Sequence, residues 1–119
     1  MTHAIVLFGH GSRDPLWRVP MDEVAARVRA KLPNVQVRCA FLELDSPTLP
    51  AVAAELASAG VQQVRIVPLF LGAGRHARED LPRLVEDCRR AHPGVNFDLR
   101  PSVGENPLVL DLLAAIASD

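Results

Sequence analysis

The stretch that decides the fold is "AIVLFGHGSRDP", residues 4–15. Residues 4–8 are apolar without interruption, the pattern of a strand buried on both faces of a sheet. The run stops at Gly9-His10-Gly11-Ser12. A histidine used only for packing needs no glycine on either side. A histidine that projects from the end of a strand toward a ligand gains clearance from both.

Three further apolar runs follow. Residues 64–70 are again nearly continuous. The run "VQVRCAFLE", 35–43, sets Val35, Val37, Cys39 and Phe41 against Gln36 and Arg38, and "VNFDLR", 95–100, sets Val95, Phe97 and Leu99 against Asn96, Asp98 and Arg100. Alternation marks strands with a wetted face or edge. Runs one and three are therefore expected at the centre of a sheet and runs two and four outside. Helical patterns alternate with the runs, which is the rhythm of an α/β fold, and right-handed crossovers then favour a four-stranded parallel sheet of order 2-1-3-4. The expectation is a single three-layer, flavodoxin-like domain over 1–119, with helices on both faces and no internal repeat.

The helices carry their own punctuation. Pro20 marks the first turn of helix one. Ser46-Pro47 reads as the start of helix two, with Leu49, Val52, Ala53 and Leu56 inward and Gly60 closing it. Helix three is expected to begin at Glu79 and Asp80, end near Arg89, Arg90 and His92, and bury Leu81, Leu84, Val85 and Cys88. Asn106-Pro107 opens a last helix bearing Leu108, Leu112, Leu113 and Ile116.

In an open parallel sheet, ligands bind beyond the carboxyl ends of the strands where the strand order reverses. With order 2-1-3-4 that place lies between strands one and three. The loop after strand one holds His10, and the loop after strand three, residues 71–80, holds His76. Strand two ends in Glu43 on the same edge. Two imidazoles and a carboxylate suit a borderline divalent metal such as Co²⁺, Fe²⁺, Ni²⁺ or Zn²⁺, and so sparse a set leaves coordination positions open. Arg13, Arg75 and Arg78 crowd the same edge and point to an acidic ligand bearing carboxylates or phosphates. Gly72 and Gly74 serve loop geometry and leave room for a flat ligand. His3 reads as a frayed terminus and His92 as a helix C-terminal cation.

Composition narrows the class. A formal net charge of -1 gives no reason to expect nucleic acid or an anionic membrane as partner. Cys39 and Cys88 fit no metal or redox spacing and read as small core residues. The N-terminus lacks the marks of a signal peptide and no apolar run reaches spanning length, so a reduced, cytoplasmic location is expected.

On "GHGSRDP", "FLELDSPTLP", "VPLFLGAGRHARED" and "VGENPLV", the chain resembles the sirohydrochlorin cobaltochelatase/ferrochelatase family, the class II chelatases, in a small single-domain form. The resemblance implies insertion of a divalent metal (Co²⁺, Fe²⁺ or Ni²⁺, as substrate) into a tetrapyrrole, with no ATP or organic cofactor. It implies that His10 and His76 hold the metal and Glu43 assists. An inserting enzyme must release its metal, which suits few ligands and an open face. Two pyrrole N–H protons must leave, and an imidazole or Glu43 can accept them. Ser12, Arg13, Gly74, Arg75 and Arg78 are expected to bind the macrocycle and its carboxylates. Because relatives with two such domains enclose a cleft, a homodimer is expected here. Two other readings stand beside this one. In the first, a histidine phosphatase, Gly9 would occupy the place of the phosphate-binding arginine. In the second, a metal- or tetrapyrrole-binding module of the same fold, the histidines would look identical and only turnover would differ.

Overall fold

A computed structural model describes residues 3–119. The elements are β1 (His3–Gly9), α1 (Val19–Lys31), β2 (Gln36–Phe41), α2 (Leu49–Ser58), β3 (Gln63–Pro68), α3 (Arg75–Ala91), β4 (Asn96–Leu99) and α4 (Pro107–Ser118), with one 3-10 turn at Val103–Glu105. The strands form one parallel sheet of order β2-β1-β3-β4, as the sequence predicts. β1 is covered on both faces, by Val6 and Phe8 on one side and Leu7 on the other, all at most 3% exposed. β3 buries Val64 and Ile66 on one face and leaves Arg65 exposed on the other, so only β1 matches the expectation of a strand buried on both sides.

Two apolar layers flank the sheet. On one face α2 and α3 bury Leu49, Val52, Ala53, Leu56, Leu81, Val85 and Cys88 against Val6, Phe8 and Ile66. On the other, α1 sets Met21 and Ala25 against Leu7, Val37 and Phe41. His3 belongs to β1 rather than to a frayed end. Cys88 is buried as expected, and Cys39 is half-buried.

Two helix boundaries differ from the sequence reading, each for a local reason. α2 begins at Leu49, not at Ser46-Pro47, because the Thr48 side chain accepts the Ala51 N–H at 3.4 Å and is the working cap. The proline in its first turn is Pro50. α3 begins at Arg75, four residues before Glu79, with Gly74 as an N-cap that supplies no side chain. The last helix starts where expected, at Asn106, whose side chain accepts the Leu108 N–H at 2.9 Å. Its leucines, however, pack into no core, and no residue of α4 is buried.

The chain also carries an internal repeat that the sequence reading does not find. β1 and β3 begin at His3 and Gln63, α1 and α3 end at Lys31 and Ala91, and β2 and β4 begin at Gln36 and Asn96, a constant spacing of 60. The two helix-to-strand turns are the same device. Leu32 and His92 close the helices at φ -129°, ψ 72° and φ -133°, ψ 71°. Arg29 and Arg89 each donate from Nη2 to a strand carbonyl, of Val37 and of Phe97, at 2.8 Å. The repeat lies in geometry and burial more than in shared residues, so composition hides it.

Candidate active site

β1 and β2 continue to pair past their ends. The Leu42 N–H donates to the Gly9 carbonyl at 2.9 Å, and the Glu43 N–H to the His10 carbonyl at 3.1 Å. This carries His10 and Glu43 side by side to the carboxyl edge of the sheet. Their side chains meet, His10 Nε2 to Glu43 Oε1 at 3.2 Å, with 47% and 48% of each exposed. The two glycines have a concrete reason. Gly11 sits at φ +104°, and a Cβ there would stand 1.6 Å from the Glu43 carbonyl oxygen. A Cβ on Gly9 would meet Met21 Sδ at 2.5 Å. The glycines let the β1 loop close on β2 and α1, and His10 is carried outward between them.

The next residue is strained. Leu44 takes φ +63°, a left-handed conformation that a leucine adopts at a cost of about 1–3 kcal/mol. Pairing of Glu43 with His10 and the seat of Gly11 on the Glu43 carbonyl hold it there. Leu44 is thereby turned outward and is 51% exposed.

His76 lies in the first turn of α3 rather than in a loop. Its Nε2 is 2.9 Å from Asp80 Oδ2, one helical turn on, and Arg83 Nη2 lies 3.5 Å from the other Asp80 oxygen. A histidine whose one nitrogen is fixed by a carboxylate presents the other to a metal. Nε2 is the engaged nitrogen in both histidines, so Nδ1 is the nitrogen that could hold a metal. The sequence reading took Asp80 for the start of the helix and missed this partnership, although the i, i+4 spacing was available to it.

Among the described residues, no three His, Cys, Asp or Glu side chains converge closely enough to hold one ion. The expected His10, Glu43 and His76 set is therefore two carboxylate–imidazole pairs at one sheet edge, not a joined three-ligand group. The other expected residues divide similarly. Ser12 Oγ accepts the Asp14 N–H at 3.0 Å and shapes its own turn. Arg13 is exposed. Arg75 pairs with Glu79 at 2.9 Å, and Arg78 donates to the Ala73 carbonyl at 2.9 Å, beside a cavity of about 270 Å³ lined by Phe70, Ala77 and Pro101. A Cβ on Gly72 or Gly74 would stand in open space. The sequence reading also missed the apolar rim: Leu16, Trp17, Leu44 and Leu71 are 74, 39, 51 and 66% exposed around this edge.

Comparison with known proteins gives a consistent picture. The sequence profile of the CbiX family matches residues 4–119. The sirohydrochlorin cobaltochelatase of Methanococcoides burtonii is 34% identical over 82 residues, 69% of this chain and 63% of that protein, so the chain spans about three fifths of that relative's length. The crystal structure of a CbiX protein from Marinobacter aquaeolei VT8, named for cobalamin (vitamin B12) biosynthesis, superimposes with a TM-score of 0.84 at 33% identity, covering 98% of this chain and 94% of that one. SirB from Bacillus subtilis, solved with Fe³⁺, superimposes with a TM-score of 0.79 at 26% identity, covering 97% of this chain and 46% of that one. Among the described residues, no helix is long and apolar enough to cross a membrane.

Proposed function

The chain belongs to the CbiX family, and from that membership we propose that it inserts a divalent metal, Co²⁺ or Fe²⁺, into sirohydrochlorin. We further infer that it does so in the cytoplasm, without ATP or an organic cofactor, as a single domain paired in a homodimer, and that the product serves cobalamin or sirohaem synthesis. The observation that carries the reading is the pairing of His10 with Glu43 at the carboxyl edge, 3.2 Å apart and half exposed.

The chemistry follows from that pair. Glu43 fixes His10 at Nε2, so Nδ1 offers a single lone pair to the metal, and His76, fixed by Asp80, offers a second. Two nitrogen ligands without a thiolate hold an ion weakly enough to surrender it to four pyrrole nitrogens. Insertion exchanges one M²⁺ for two protons. Each N–H loses its proton as its nitrogen bonds the metal; Glu43 accepts the proton and passes it to water, and His10 Nδ1 can accept one only once the metal has left it. The exposed Leu16, Leu44 and Leu71 suit the apolar faces of a macrocycle, while Arg13, Arg75 and Arg78 suit its peripheral carboxylates.

The test is an anaerobic absorbance time course of metal-free sirohydrochlorin with Co²⁺, Fe²⁺ and then Ni²⁺, corrected for spontaneous insertion. Catalysed insertion that His10→Ala and His76→Ala abolish supports the proposal and ranks the metals. No acceleration by folded protein with any metal would assign the chain instead to binding and delivery.

A further inference from the structure

The turn that carries Glu43 is held from two sides. On one side, Leu42 and Glu43 are fixed to the end of β1 by their bonds to the Gly9 and His10 carbonyls. At its base the turn closes on itself: the Phe41 N–H donates to the Pro47 carbonyl at 3.0 Å, and Phe41 bridges Thr48. Between Glu43 and that base lies Leu44, at φ +63°. The contacts to His10 and Gly11 secure only the side of Leu44 that faces β1. The chain beyond it needs a hold of its own, without which Leu44 relaxes to an ordinary conformation and the Glu43 carboxylate shifts with it.

That second hold is Arg18, at the N-terminal end of α1. Its guanidinium is engaged at all three nitrogens. Nε and Nη2 take the two oxygens of Asp22, at 3.1 and 3.2 Å, which orients the fork from its own helix. Nη1 then reaches across to the turn, donating to the Ser46 carbonyl at 3.3 Å and lying 3.6 Å from Asp45 Oδ1. The same Asp45 oxygen accepts the Ser46 N–H at 2.8 Å, so both residues that follow Leu44 are tied to one cation. The guanidinium carbon stands 4.7 Å from the centre of the Phe41 ring, a cation–π seat on a side chain that is itself buried. The Trp17 ring lies against the same phenylalanine, with centroids 6.1 Å apart. Arg18 thus differs from the exposed Arg13, Arg75 and Arg78: its side chain is 30% exposed and its nitrogens are committed to the protein.

We propose that Arg18 is a positioning residue for Glu43. It pins Asp45 and Ser46, keeps Leu44 left-handed, and so holds the Glu43 carboxylate at its 3.2 Å contact with His10. The role needs a guanidinium, because a single ammonium group cannot take both oxygens of Asp22, reach the Ser46 carbonyl and sit over the Phe41 ring together. Small errors matter at such a group: misplacing a reacting side chain by about 1 Å costs up to about 10²-fold in rate.

Hydrogen exchange of the full chain, followed amide by amide by NMR, tests this without metal or tetrapyrrole. Arg18→Ala should speed exchange of the Leu42 and Glu43 amides about 10-fold or more relative to those of Val6 and Ile66 in the central strands. A residue that served only overall stability would speed all four alike. Leu44→Asn supplies the second arm, because asparagine tolerates a positive φ better than leucine does. In that background Arg18→Ala should change the same ratio by less than about 3-fold. Arg18→Met keeps the apolar stem on Phe41 and removes every bond to the turn; it is scored in the same way, so a misfolded alanine variant leaves the test intact. The catalytic consequence rests on the chelatase reading above: Arg18→Ala should lower kcat for metal insertion about 10-fold, with the tetrapyrrole KM changed by less than about twofold. Uniform acceleration of the four amides, an equal effect with leucine and asparagine at position 44, or an unchanged kcat beside a loosened turn would each overturn the proposal. A folded wild type without turnover overturns the chelatase reading instead, and the exchange ratios still decide whether Arg18 holds Glu43.

Discussion

The backbone carbonyl of Glu43 fills the space that a side chain on Gly11 would need: a Cβ there would stand 1.6 Å from the oxygen, and φ at Gly11 is +104°. Gly11→Ala therefore combines a disfavoured backbone with a clash that only a shift of Glu43 relieves. The expected loss is about 1–3 kcal/mol from backbone conformation alone, read as a lowered midpoint in urea, together with reduced turnover. Gly72→Ala, where the added carbon meets open space, should change stability by less than about 0.5 kcal/mol. Equal behaviour of the two variants would show that the Gly11 contact is not what seats Glu43.

If Glu43 acts with His10 as one unit, removing either should cost nearly as much as removing both. His10→Ala and Glu43→Ala should each lower kcat by about 10²–10⁴, and the double variant by little more than the worse of the two. Fully multiplicative losses in a double-mutant cycle would separate the two roles.

Asp80 touches His76 at 2.9 Å and lies outside the expected ligand set, which makes it a positioning residue. Asp80→Asn should weaken metal binding about 10- to 100-fold, measured by titration without tetrapyrrole, with the macrocycle KM little changed. A raised KM with unaltered metal affinity would place Asp80 on the substrate instead.

Burial, and secondarily the Asp87 carboxylate, pushes the Cys88 thiol above its ordinary value of 9.0. The folded chain then holds that proton more tightly than the unfolded one. The stabilising effect is complete below pH 9 and is lost as the pH rises through the higher folded value. Wild-type Tm should fall more steeply above pH 9 than that of Cys88→Ala, whose Tm is lower at pH 7 from lost packing. Parallel curves would mean that the thiol does not ionise on unfolding.

The parts of this molecule that could be read from residues are those set by burial and by strand ends. The unbroken run at 4–8 and the nearly continuous one at 64–70 place β1 and β3 in the centre, and the position of His10 and Glu43 on one edge follows from strand order alone. The start of α3 was not legible, because Gly74 supplies no capping side chain and Arg75 and His76 look like a polar loop. Nor was the turn at Leu44, since nothing about a leucine announces a positive φ; neighbouring contacts impose it. The exposure of α4 was hidden for the opposite reason. Its pattern is that of a buried helix, yet no residue of α4 is buried.

The spacing of 60 that relates the two halves also bears on how the chain reaches its native state. Each half is a strand, helix, strand and helix whose own contacts are local, while β1 and β3 join residues such as Val6 and Ile66 across 60 positions. Loop closure over that distance is the slow part of acquiring such a topology. The seam between the central strands is thus where the kinetic barrier is expected. Ile66→Val should slow refolding, whereas Ala25→Gly within α1 should act on the unfolding limb of the chevron.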